Sequence, residues 1–180
     1  MLMGFLSLFV VNVQAQPQPP HEYDVKAAFL YNFIKYVEWP ADAFASDTSA
    51  IILGVVGSDP WDGKLRDNLR GRTVSGRRIV FRHFPDLPSV RKCHVLFFAA
   101  DAAGADPTDL EAALTTKSCL TVGETEGFIT RGGMIGFVVN NRKLRFEVNL
   151  RAATCAGVKI SSKLLHLAQT VLRAEYDGTR

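Results

Sequence analysis

Motifs that carry chemistry are scarce in this chain of 180 residues, which has three cysteines and four histidines. Cys93, Cys119 and Cys155 form no C-x-x-C pair, and no two histidines stand at ligand spacing, so a zinc or dithiol site has little to build on. The chain lacks G-x-G-x-x-G, G-x-S-x-G and any dense run of carboxylates, which removes the dinucleotide cradle, the esterase elbow and the calcium loop. Neither sign of charge dominates, since 21 Lys and Arg against 18 Asp and Glu leave a net +3. The densest basic group, Arg70, Arg72, Arg77 and Arg78, straddles turn glycines and reads as a solvated loop rather than a nucleic-acid face. No nucleic-acid partner, metal or cofactor is implied. Internal repeats and a second domain are also missing from the pattern.

What is present is an ordinary globular composition, 47% apolar and 22% charged, at a length suited to one domain with a full core. Residues 1–13 are almost wholly apolar and lead to Val13-Gln14-Ala15, a small-x-small cleavage pattern. The expectation is a signal peptide over residues 1–15, cut near Ala15, and therefore a periplasmic protein. No Lys or Arg precedes the apolar run, so a start further upstream or a retained anchor are the alternatives. A mobile Pro/Gln spacer is expected over residues 16–22, followed by a single domain over 23–175.

Residues 24–39 read as a first helix, stopped by Pro40. Its apolar residues exceed one stripe, which predicts burial on two sides, against the sheet and against either a dimer partner or the C-terminal segment. The run Ile51-Ile52-Leu53-Gly54-Val55-Val56 is a strand covered on both faces. A short helix over 61–69 follows, capped by Ser58, then strands over 78–84, 93–98 and 119–122, with a helix starting at Asp106-Pro107. Alternation about Asn140-Asn141-Arg142-Lys143 marks a hairpin. Asn149 caps a short helix, and Ser161 caps a last one whose buried face runs from Leu164 to Leu172. The pattern predicts an α/β fold, a three-layer αβα sandwich whose mostly parallel sheet ends in a C-terminal antiparallel hairpin.

Two local expectations follow. Cys93 and Cys119 each open a strand, and consecutive parallel strands bring their Cα atoms into disulfide range, which leaves Cys155 as a buried free thiol. The segment 54–59, at a strand-to-helix junction, is better read as a cap than as an anion site, because Pro60 removes an amide. The paired glycines Gly132-Gly133 are read as structural.

Several stretches resemble the YfiR family in order along the chain. They are Val25-Lys26-Ala27-Ala28-Phe29-Leu30-Tyr31-Asn32-Phe33 with Trp39-Pro40, Cys93-His94-Val95-Leu96-Phe97, and Leu120-Thr121-Val122 with Gly127-Phe128. Gly132-Gly133-Met134-Ile135-Gly136-Phe137, Arg145-Phe146-Glu147-Val148-Asn149-Leu150 and residues 157–165 complete the series. The resemblance implies a non-catalytic periplasmic regulator, commonly a homodimer, that represses an inner-membrane diguanylate cyclase through its periplasmic portion. It also implies an outer-membrane lipoprotein that relieves repression. A sensor kinase is the alternative partner, and a small-molecule binding protein using the crevice near Gly57–Asp59 and Ala100–Gly104 is the alternative function. With three cysteines a two-bridge arrangement is closed to this chain. The contact surfaces expected on this reading are the outward side of the first helix, at Leu30 and Tyr31, and a C-terminal rim of Arg145, Glu147 and Arg151.

Overall fold

The computed structural model describes residues 20–104 and 107–173, so the expected signal peptide, most of the spacer and the Asp106 helix start lie outside it. Helix α1 (Pro20–Lys35) leads into a two-residue strand β1 (Val37–Glu38) and then β2 (Ile51–Val56). Helix α2 (Lys64–Leu69), strands β3 (Thr73–Val74), β4 (Arg77–Phe84) and β5 (Val95–Phe98), helix α3 (Pro107–Leu114) and strand β6 (Leu120–Gly123) follow. The hairpin β7 (Ile135–Asn140) and β8 (Lys143–Asn149) precedes α4 (Leu150–Cys155), β9 (Lys159–Ile160), α5 (Ser162–Leu167) and β10 (Thr170–Leu172).

Eight strands form one mixed sheet in the order β10-β8-β7-β6-β5-β2-β4-β3, while β1 and β9 form a separate antiparallel pair. The central strands β4, β2, β5, β6 and β7 are parallel neighbours, and β7 turns back antiparallel to β8. The sheet buries two apolar faces. One holds Val55, Val95, Phe97, Val122 and Phe146 under α1 and α2, with Leu30, Phe33 and Leu65 pressed onto it. The other holds Val56, Leu96 and Phe98 against Leu114 of α3 and Phe128 of a loop. Helix α1 is seated on the hairpin by rings: Phe33 lies 5.1 Å from Phe146 and 5.7 Å from Phe137, in tilted and edge geometries that such pairs favour.

Several boundaries differ from the sequence reading, each for a local reason. Helix α1 takes in Pro20 and stops at Lys35, because Val37 and Glu38 pair with Ile160 and Lys159 instead of continuing the helix. This pairing and the Ser161 amide on the Tyr36 carbonyl cover the end of the helix with the C-terminal segment. Ser58 caps nothing; Asp59 accepts the amides of Trp61 and Gly63, each at 3.1 Å, and α2 begins only at Lys64. The last helix ends at Leu167, where Ala168 turns extended and the Gln169 amide bonds the Phe146 carbonyl at 2.8 Å. Residues 170–172 then add a parallel edge strand to β8. Asn149 and Ser161 do cap α4 and α5 through their side chains.

Candidate functional site

The carboxyl ends of β2 and β5 flank the point where the strand order reverses, the usual place for a ligand in an open α/β sheet. Here the protein's own carboxylates take the free amides. The Ser58 amide donates to both oxygens of Asp101 at 3.0 Å, and the Ala100 amide donates to Glu124 Oε1 at 2.9 Å. Gly57 makes room for this, since a Cβ there would stand 2.4 Å from Asp101 Oδ1 at a φ of +92°. An external anion would have to displace Asp101 or Glu124, so the crevice near Gly57–Asp59 and Ala100–Gly104 does not favour the small-molecule reading.

Next to it lies a buried ion cluster that sequence reasoning missed. Lys26 Nζ reaches Glu124 Oε2 at 2.6 Å and Glu22 Oε1 at 2.7 Å, and the Lys26 and Glu124 side chains are each only 5% exposed. The ammonium also lies 4.4 Å from the centre of the Tyr23 ring. Burial pulls the lysine pKa down, but its bonds to Glu124 and Glu22 outweigh that and hold it above the ordinary value. Tyr23 is raised as well, by burial first and then by the charge of Glu124. Within the described residues every buried side-chain nitrogen and oxygen has a hydrogen-bond partner. The cluster is a clamp between α1 and the end of β6, with its groups spent on one another. Its one signal in the sequence is a lysine directly before the apolar run Ala27-Ala28-Phe29-Leu30-Tyr31.

A second cluster joins two of the stretches that carry the family resemblance. Trp39 Nε1 donates to the His94 carbonyl at 3.0 Å, and the His94 ring stacks on Phe44 at 4.4 Å. The Arg77 guanidinium covers the other side of Phe44 at 3.9 Å. Gly132-Gly133 is explained in the same structural way, because a Cβ at Gly133 would stand 2.1 Å from the Phe128 ring.

The residues expected at a partner surface separate. Leu30 has no exposure at all and belongs to the core, which corrects its placement on an outward face. The helix period puts it beside Phe33 and Ile34, while Asp24, Ala28, Asn32 and Lys35 face outward. Tyr31 is half-buried toward α2, with Arg72 over its ring at 4.9 Å. Arg145 is exposed and Glu147 half-buried on the same side of β8, two residues apart, and Arg151 is exposed on α4 beyond them. The groove that Arg151 lines runs instead between α3 and α4, with Leu114 and Ala152.

Cys93 and Cys119 lie on one face of the sheet and line a single groove of about 510 Å³, rimmed by Arg91, Lys92 and Lys117. Both are free thiols in the structure. Burial pushes the Cys93 thiol up to about 11, against a small opposing pull from Arg82. Burial also raises Cys119, with Cys93 adding to it. Cys155 is exposed on α4, which corrects its expected burial.

A further groove of about 450 Å³ lies between α1 and the tip of the β7–β8 hairpin, and no sequence motif points to it. Among the described residues no helix is long and apolar enough to cross a membrane, and no three metal-binding side chains gather.

Comparison with known proteins places the chain. No curated protein matches it. A solved structure, a conserved domain protein from Vibrio cholerae, aligns with a TM-score of 0.48 at 13% identity, over 85% of this chain and 60% of that one. This chain thus spans less than two thirds of that protein's length. The family model described as YfiR/HmsC-like matches residues 23–169, which takes in every strand of the sheet but the last edge, so the chain belongs to the YfiR/HmsC-like family.

Proposed function

We propose that this protein is a periplasmic regulatory binding module in cyclic di-GMP signalling, which holds an inner-membrane diguanylate cyclase inactive through its periplasmic portion. The observation that carries this reading is the family match over residues 23–169. The self-filled crevice supports it, because Asp101 and Glu124 already take the amides that a small ligand or a phosphate would use. On this reading the protein binds the inactive form of the enzyme preferentially, and sequestration by an outer-membrane lipoprotein returns the equilibrium toward the active form. To shift such an equilibrium from mostly active to mostly inactive, the preference must be on the order of 10⁴-fold. The protein acts without a catalytic step of its own and as a homodimer. A sensor kinase is the alternative partner.

The test is intracellular cyclic di-GMP in the source bacterium with and without an in-frame deletion of the gene. Repression predicts a rise on deletion, reversed by the exported protein and not by a version lacking residues 1–15. Unchanged cyclic di-GMP across several growth conditions would overturn the cyclase as partner.

A further inference from the structure

The groove between α1 and the hairpin tip combines an apolar floor with uncompensated positive charge. Val25, Phe29 and Leu144 are half-buried along it, and Val139 stands at its edge with 63% of its surface exposed. Val139 is opposite Leu144 in the antiparallel register, so both side chains stand on the face that α1 covers. Arg142 and Lys143 form the lip. Neither has a carboxylate partner among the described residues. The one acidic lining residue among the described residues, Glu22, is already held by Lys26 at 2.7 Å, so its charge is cancelled from within. Among the described residues, what remains facing solvent is a hydrophobic trough with two unpaired cations on one side.

We infer that this groove is the docking site for an acidic amphipathic segment of a partner protein, its apolar side chains on Val139, Phe29 and Leu144 and its carboxylates on Arg142 and Lys143. The charge complement selects this occupant over two others. A second copy docked symmetrically would bring Arg142 and Lys143 toward their own equivalents. An anionic membrane gains only about 1 kcal/mol for each basic residue near its surface, so two cations would hold the domain weakly, and a concave trough does not match a flat bilayer. The inference rests on the regulatory reading and deepens it by naming the face and chemistry of the partner.

The experiment uses the full domain and a pair of synthetic helical peptides of about four turns, with identical leucine spacing and either glutamates or lysines on the flanks. Fluorescence anisotropy should show the glutamate peptide binding and the lysine peptide failing. Val139→Asp, and separately Arg142→Glu with Lys143→Glu, should each weaken the glutamate peptide roughly tenfold or more. The charge-reversed variant should gain the lysine peptide. All three positions are exposed, so circular dichroism should show folded variants. Equal binding of both peptides, or indifference to these substitutions, overturns the inference. So does binding to phosphatidylglycerol vesicles that the same variants abolish without any peptide binding, or a dimer in light scattering that Val139→Asp dissolves. A variant that has lost the peptide yet lowers cyclic di-GMP normally removes the groove from repression and leaves repression standing. A deletion with no cyclic di-GMP response does the reverse.

Discussion

The Nδ1 of His94 accepts the Ile52 amide proton at 3.0 Å, which fixes the imidazole as a neutral ring in the structure. With Nδ1 occupied as an acceptor, the ring proton sits on Nε2 and points to the Ala43 carbonyl at 3.3 Å. Two neighbouring segments, the start of β2 and the turn after Pro40, thus converge on a histidine 42 and 51 residues further along. Phe44 and Trp39 close over it, and Arg77 and Lys92 add positive charge nearby.

Protonating His94 would set a new N–H against the Ile52 N–H, so the protein should lose stability in acid. Burial, the largest influence, lowers the His94 pKa below its ordinary 6.5; the bond to the Ala43 carbonyl opposes this, and the charges of Lys92 and Arg77 add to the lowering. A histidine depressed in the folded state contributes stability that is complete above the unfolded value and is lost as pH falls through the folded one. Urea midpoints should therefore be flat from neutral pH down to about 6.5 and then fall. His94→Asn, which keeps an acceptor near Ile52, should lower the midpoint at pH 7 and flatten the acid slope. An unchanged slope in that variant would detach the acid loss from His94.

Removing Lys26 alone should be severe, because Glu124 would be left charged, 5% exposed and without its cation. Breaking one side of such a buried pair costs about 3–5 kcal/mol. Lys26→Met should lose that much in denaturant unfolding at neutral pH, whereas Lys26→Met with Glu124→Leu should recover most of it. The raised lysine pKa gives a second sign: its contribution is complete below the unfolded value near 10.5 and is lost only as pH climbs through the higher folded value. The wild-type should thus keep this contribution across the neutral range. A single variant within about 0.5 kcal/mol of wild-type would show that the cluster is not a clamp.

How much of this was legible beforehand depends on how local each cause is. Strand β2 was readable to the residue, because both its faces are covered and its run is apolar throughout. The caps Asn149 and Ser161 were readable because their partners, Ala152 and Leu164, lie three residues on. The split of 162–172 into a helix and an edge strand was not, since leucine spacing does not announce that the Gln169 amide will bond Phe146. Leu30 was misplaced for a related reason. A helix apolar on more than one face does not say which side meets its own sheet, and the answer came from Phe137 and Phe146, more than a hundred residues away. Glu124 carries no local mark, and its role comes from contacts with the Ala100 amide, 24 residues earlier, and with Lys26, 98 residues earlier. Val139 reads as the end of a strand and Arg142 as part of a turn, and the groove they border exists only once α1 lies alongside.

Phe128 should prove to be the reason for glycine at two positions. A Cβ at Gly123 would stand 2.4 Å from its ring and one at Gly133 2.1 Å, so the ring is held between two backbones. Gly133→Ala should destabilise by at least the 1–3 kcal/mol typical of overpacking, because both obstacles are rigid. Phe128→Leu alone should cost less than about 3 kcal/mol and should rescue part of the glycine variant in a double-mutant cycle. Strict additivity of the two changes would separate the glycine from the ring.

The three cysteines should sort by environment. Cys155 is exposed on α4, while Cys93 and Cys119 are buried with thiols held largely protonated, Cys93 at about 11. Because the thiolate is the nucleophile, iodoacetamide at pH 8 should label Cys155 in the native reduced protein and leave the other two. Export would add oxidation, and the shared groove of Cys93 and Cys119 makes them the pair we propose to bridge. Closing that loop would contribute about 3–4 kcal/mol in the chain-entropy model. Protein purified from the periplasm and unfolded without reductant should then release one titratable thiol, and three after reduction, with a lower melting temperature in the reduced form. Cys93→Ser should remove the difference between the two forms, and Cys155→Ser should preserve it. Three free thiols in periplasmic protein would mean that the buried pair stays reduced, its stability coming from packing in the apolar cluster that includes Leu96 and Phe84.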